Sequence, residues 1–144
     1  MTTIGSLLDA KSQSIVIFSV LPGQTVREAL ELMKQHNIGC VLVMENDQLK
    51  GILSERDYAR KMILSGKASA TTPVSEIMTT KVTRTTRSNS VDDCLELMSR
   101  HDFRHLPVVE DDKVLGMVSI RDLVSSIIRE QQNTIDQLQQ YITS

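Results

Sequence analysis

Gly51-Ile52-Leu53-Ser54-Glu55-Arg56-Asp57 returns 65 positions later as Gly116-Met117-Val118-Ser119-Ile120-Arg121-Asp122, in the same order of residue types except at Glu55 and Ile120. Each stretch reads as a strand running into a helix, with a hydroxyl, a guanidinium and a carboxylate gathered where backbone N–H groups have no partner, a setting suited to a phosphorylated sugar. Extending the alignment without a gap from Val26 to Asp57 matches 13 of 32 residues, including Leu30-Glu31-Leu32-Met33 with Leu95-Glu96-Leu97-Met98 and His36 with His101. Two tandem copies are too few for a long solenoid and predict one domain built from two related halves.

The flanking pattern gives each copy a β-α-β-β-α order. In copy one, Ile15 to Phe18 is an apolar run that Leu21-Pro22-Gly23 breaks, and Thr25-Val26-Arg27-Glu28 is a capping box that starts a helix. Ile38-Gly39 ends that helix, Cys40 to Met44 and Leu49 to Leu53 are strands paired through Asn46-Asp47, and Ser54 caps a helix to about Leu64. Copy two repeats this as a strand over Val82 to Thr85, a helix from Val91 to about His101 capped by Ser90, strands around Leu106 to Val109 and Val114 to Val118, and a helix from Ser119. Residues 1–64 then form an N-terminal segment with the first repeat, 65–81 a linker, 82–130 the second repeat and 131–144 a helical extension. Within the linker, Pro73 to Met78 is one short helical turn.

Composition limits the function. The 144 residues are 40% hydrophobic and 24% charged, which suits an ordinary globular domain; only 3% are aromatic, so base stacking on Phe or Tyr is not expected. A net charge of −2 leaves no global footprint for nucleic acid. The longest apolar runs are far short of a membrane span, and Met1-Thr2-Thr3-Ile4 lacks the basic start of a signal peptide, so the expected location is cytoplasmic. Cys40 and Cys94 show no metal or redox spacing and read as inert buried thiols. His36 and His101 sit at matched helix ends and read as structural. No catalytic motif occurs, and neither an enzyme nor a metal site is expected.

The Ser-x-x-Asp pairs have a second reading, since the same spacing starts helices and Ser90-Val91-Asp92-Asp93 has it too. Arg56 and Arg121 separate the alternatives: a cation in the first turn of a helix opposes the macrodipole, and its presence twice points to an added anion. Gly51 and Gly116 either allow close backbone approach or mark a strand irregularity. Beyond copy two, Val124, Ile128, Gln131, Ile135, Leu138 and Ile142 step by four and three residues, a heptad seam that either packs on its own domain or joins a second subunit.

With these features, and Arg104-His105-Leu106-Pro107-Val108-Val109, the chain from about Leu7 onward resembles the CBS domain pair, or Bateman module, named after cystathionine β-synthase. The resemblance implies an α+β fold, a pseudo-twofold disc with two clefts, and a regulatory role in signal transduction through an adenosine-containing ligand: AMP first, with ADP, ATP, NAD or S-adenosylmethionine as alternatives. It implies ribose at Asp57 and Asp122 and phosphate at Ser54, Arg56, Ser119 and Arg121. The base would meet Ile38-Gly39-Cys40 and Arg104-His105-Leu106 with Pro107, while Met78 and Val82 line one cleft and Ile15 to Phe18 the other. Only copy two has the Arg-His-x-Pro form, so the clefts should differ in affinity; Arg121 stands where similar sequences often have a small residue, and either holds the phosphate or crowds it. His105 is either satisfied by backbone or a donor to the ligand. A homodimer and an unidentified regulated protein are the expected partners, and an adaptor acting through the C-terminal helix is the alternative function.

Overall fold

The computed structural model describes residues 2–11, 17–101 and 103–143. The chain is α+β, with a three-stranded and a two-stranded sheet and a long C-terminal helix. It divides into two compact units, Val16–Thr83 and Met1–Ile15 with Arg84–Ser144.

In the first unit, helix α2 spans Val26–His36 and begins in the capping box the sequence announces. The Glu28 N–H donates to Thr25 Oγ1 at 3.2 Å and the Thr25 N–H to Glu28 Oε1 at 3.4 Å. The helix ends one residue earlier than Ile38-Gly39, at Asn37, whose left-handed φ of 52° is tolerated by a short amide side chain. Strands β2 (Cys40–Glu45) and β3 (Gln48–Ser54) pair antiparallel about Asn46 and Asp47, both at positive φ, as a two-residue hairpin with right-handed twist requires. Strand β1 is only Ser19–Val20, parallel to β2, rather than the apolar run Ile15 to Phe18; Ile15 and Val16 lie outside the described residues. The shift has a local cause. The Leu42 N–H bonds Phe18 O at 3.1 Å, so Phe18 serves the edge through its carbonyl while Val20 buries its side chain.

After β3, helix α3 covers Glu55–Asp57 and widens into a π-helix over Tyr58–Ile63, so the helix anticipated to Leu64 is present in extent but not in winding. The single turn expected near Pro73 is a 3₁₀ turn over Val74–Glu76. Val74 and Ile77 enter the core of Val26, Ala29, Met33, Val41, Val43, Leu53 and Met62. A fully buried side chain of this kind contributes about 1.5–3 kcal/mol, so this part of the linker belongs to the core of copy one.

The second unit repeats the plan with α4 (Val91–His101), β4 (His105–Glu110), β5 (Lys113–Ser119) and α5 (Ile120–Thr143). Ser90 caps α4, accepting from the Asp93 N–H at 3.0 Å. Its core is closed by a helix the sequence reading did not identify, α1 (Ile4–Lys11), which lays Ile4, Leu7 and Leu8 against Val91, Cys94, Met98, Leu106, Val118 and Leu123. Each core is thus completed by the segment that precedes the other repeat in sequence. The backbone bonds Val26 N–H to Thr72 O (2.9 Å) and Val91 N–H to Thr2 O (3.0 Å) mark the same junction in the two units.

The strand anticipated over Val82 to Thr85 reduces to one parallel bridge, Thr85 with Val108. Pro107 explains the loss. It occupies the position of Leu42, whose N–H holds the edge strand of copy one, and proline has no N–H to donate.

Candidate functional site

The two strand-to-helix junctions superpose in their hydrogen bonding. Cys40 pairs with Ser54 across β2 and β3, and the Glu55 N–H bonds Gly39 O at 3.0 Å; His105 pairs with Ser119, and the Ile120 N–H bonds Arg104 O at 2.8 Å. The register thereby brings Gly39 and Cys40 beside Ser54 in one unit, and Arg104 and His105 beside Ser119 in the other. Leu106 is fully buried in its core, so at the junction it offers backbone rather than side chain, and Pro107 is buried next to it.

Both Ser-x-x-Asp pairs close capping boxes. The Asp57 N–H donates to Ser54 Oγ at 3.0 Å, while the Ser54 N–H and hydroxyl both donate to Asp57 Oδ2 at 3.0 Å. In copy two the Asp122 N–H donates to Ser119 Oγ at 3.2 Å and the Ser119 N–H to Asp122 Oδ2 at 2.8 Å. Helix starting is therefore a real task of these residues.

Asp57 does more than cap. Its second oxygen, Oδ1, accepts from the Thr79 hydroxyl at 3.2 Å and lies 3.4 Å from Lys61 Nζ, with the carboxylate side chain 17% exposed. Lys61 also donates to Ile77 O at 3.2 Å and Thr79 Oγ1 at 3.3 Å. Neither residue was singled out from sequence. Lys61 was detectable, because a cation four residues after an acid on a helix faces it. Thr79 was not, since only the fold brings it back.

Thr79 is placed by Gly51. Ile52 and Thr79 exchange backbone hydrogen bonds at 3.0 and 2.8 Å, and a Cβ on Gly51 would stand 2.8 Å from Met78 Sδ and 2.9 Å from Thr79 O. Close approach is thus the reason for this glycine; a register shift opposite it, between Val43 and Met44, is also present. Met78 is half-buried against the junction, whereas the pairing stops at Thr79, short of Val82. Ile38 is half-buried beside the core of copy one. Arg56 is half-buried and Arg121 exposed.

Burial, and secondarily the Asp57 charge, pushes the Cys40 thiol up to about 12. The Cys94 thiol is also raised, chiefly by burial, against the opposing effect of its contact with Thr85 Oγ1 at 3.2 Å. Both stay protonated near neutrality and are poor nucleophiles or ligands. His36 stacks on Phe18 with centroids 4.0 Å apart, and His101 on Phe103 at 5.8 Å. Among the described residues no group of three or more His, Cys, Asp or Glu could hold a metal ion, and no helix is long and apolar enough to cross a membrane. An open depression of about 340 Å³ lies between Ile17–Leu21 and Met44–Asp47, at the end of β2 away from Cys40 and Ser54.

Known proteins share this plan. The CBS domain model matches residues 14–64 and 74–129. The CBS domain-containing protein YhcV of Bacillus subtilis is 40% identical over 107 residues, covering 74% of this chain and 76% of its own. The mitochondrial CBS domain-containing protein CBSX3 of Arabidopsis thaliana is 36% identical over 148 residues, covering 98% and 72%. Among solved structures, a CBS-domain protein of Burkholderia ambifaria assigned a candidate signal-transduction role superposes with a TM-score of 0.86 at 44% identity, over 90% of this chain and 96% of that one. A doubled family match, laid over two strand-to-helix junctions with the same hydrogen bonds, leaves one conclusion: the chain belongs to the CBS-domain family and carries a pair of CBS domains.

Proposed function

We propose that this CBS pair is a non-catalytic regulatory module that binds an adenosine-containing ligand, AMP before ADP, ATP, NAD or S-adenosylmethionine, at its two junctions. Asp57 and Asp122 accept from the ribose diol; Ser54, Arg56, Ser119 and Arg121 take the phosphate; and the base lies along Ile38-Gly39-Cys40 in one copy and Arg104-His105-Leu106-Pro107 in the other, with Met78 and Val82 beside the first. The observation that carries this reading is the Asp57 carboxylate. Its Oδ2 is fixed by the cap while Oδ1 points toward a hydroxyl and an ammonium, and an oxygen so oriented suits the hydroxyls of a sugar. Support also comes from the CBS domain pair of protein MJ0100, solved in complex with 5′-methylthioadenosine and S-adenosyl-L-methionine, which aligns with this chain at 25% identity and a TM-score of 0.76. The junctions are unequal because copy two carries His105 and Pro107 where copy one has Cys40 and Leu42.

The module acts in the cytoplasm as a homodimer, and ligand occupancy biases one of two states that a regulated protein reads. A second reading, an adaptor that holds a partner protein through α5, is favoured by one observation: Ile128, Ile135, Leu138 and Ile142 on that helix are all exposed.

Titration calorimetry with the five ligands tests the first reading. The wild-type chain should bind at least one, and Asp57→Ala and Asp122→Ala should each remove one class of sites by about tenfold or more in affinity, the scale of a lost charge-assisted hydrogen bond. No binding at millimolar concentration would sink it and leave the adaptor.

A further inference from the structure

In copy one the ribose carboxylate is already engaged by the chain itself. Lys61 Nζ stands within 3.4 Å of three oxygens, Asp57 Oδ1, Ile77 O and Thr79 Oγ1, and the Thr79 hydroxyl donates to the same Asp57 oxygen. An ammonium and a hydroxyl are also what a nucleoside diol would replace, since both present O–H or N–H donors to a carboxylate. The equivalent of Lys61 in copy two is Ser126, which carries no cation. The bonds to Ile77 O and Thr79 Oγ1 tie the π-helical turn to residues 77–79, the part of the linker that closes the core of copy one.

We infer that Lys61 and Thr79 set the affinity of the copy-one junction as internal competitors for Asp57 Oδ1: a diol-bearing ligand enters by displacing them, and the bonds from Lys61 to the linker are lost in the exchange. The inference rests on the nucleoside reading above and adds two residues to it. It also gives occupancy a structural consequence, because what the ligand displaces is the tether on Ile77 and Thr79. The Gly51 approach and the Ile52–Thr79 backbone pair keep the segment in place until then.

The test is titration of the full chain with adenosine and with AMP, using wild type, Lys61→Met, Lys61→Arg and Thr79→Val, with Asp57→Ala to identify the copy-one site. Lys61→Met keeps the apolar stem and removes the cation, so adenosine should bind the Asp57-dependent site roughly two- to fivefold tighter, the range expected on removing one partly exposed ion pair. Thr79→Val should act in the same direction, and Lys61→Arg should return the affinity toward wild type. Simple destabilisation of the junction would weaken binding instead, as would a Lys61 that contacts the ligand; in the latter case AMP would lose more than adenosine. Unchanged or weaker adenosine binding by Lys61→Met overturns the inference while the nucleoside reading stands. If neither wild type nor Lys61→Met binds adenosine or any of the five ligands named above, the nucleoside reading falls and this inference with it.

Discussion

Asp57 divides its two oxygens between tasks that pull on different parts of the chain. Oδ2 belongs to the cap of α3 and Oδ1 to Lys61 one turn on and to Thr79, brought from 22 positions away. Capping therefore leaves one oxygen of this residue for other contacts. Gly51 is the silent partner of the arrangement, because it is the absence of a Cβ that lets Met78 and Thr79 reach the junction. Gly51→Ala would press a methyl against Thr79 O, a backbone atom that cannot swing aside as the Met78 side chain can. We expect a loss of about 1–3 kcal/mol from such overpacking, read as a lower denaturation midpoint, and faster amide exchange at Ile52 and Thr79. An unchanged midpoint with unchanged exchange would mean that the linker does not depend on this approach.

Elements were legible where a local device declares them. The Thr25–Glu28 box, the Asn46-Asp47 turn and the Ser90 cap fix α2, the first hairpin and α4 within a residue or so of their positions, because each satisfies orphan backbone groups by itself. Strand β1 was misplaced, and the copy-two edge reduced to a bridge, because a two-residue edge has no periodicity to read and Pro107 acts across the sheet. Helix α1 was overlooked although Ile4, Leu7 and Leu8 have helical spacing, since eight residues form a helix only when something covers the apolar side. At this scale, Thr25→Ala should cost about 1 kcal/mol in equilibrium unfolding. Glu28 adds a pH signature: hydrogen bonds from the Gln24 side chain first, and then from Thr25, hold its carboxyl below the ordinary value. A depressed value in the folded state means that the contribution is complete above the unfolded pKa and fades as pH falls through the folded one, so the gap between variant and wild type should be widest near neutrality and narrow in acid, where the non-titrating Glu28 N–H bond to Thr25 Oγ1 still separates them.

For the molecule as a whole, α5 separates two regions. Leu123 is buried in the second unit and Glu130 Oε2 accepts from the Thr2 hydroxyl at 3.0 Å, but residues 131–143 are exposed throughout. Val124, Ile128, Ile135, Leu138 and Ile142 of the heptad seam are exposed, and removing Gln131 to Ser144 should leave the unfolding midpoint nearly unchanged while loosening the proposed homodimer in sedimentation. A dimer indifferent to the deletion would place the subunit contact elsewhere, and a monomeric full-length chain would remove the homodimer reading.

The sequence by itself determined the repeat, the order of elements in each copy and the pairing of Ser with Asp at both junctions, since all of these rest on contacts between residues near one another in the chain. The tertiary structure alone decided that α1 and the 73–79 segment close the cores, and that Thr79 meets Asp57. These depend on side chains and backbone made neighbours by closure of a core, for which one chain carries no local signal. The Ser54–Asp57 junction was visible because it is local; the Thr79 hydroxyl that meets it was not, because it arrives from elsewhere.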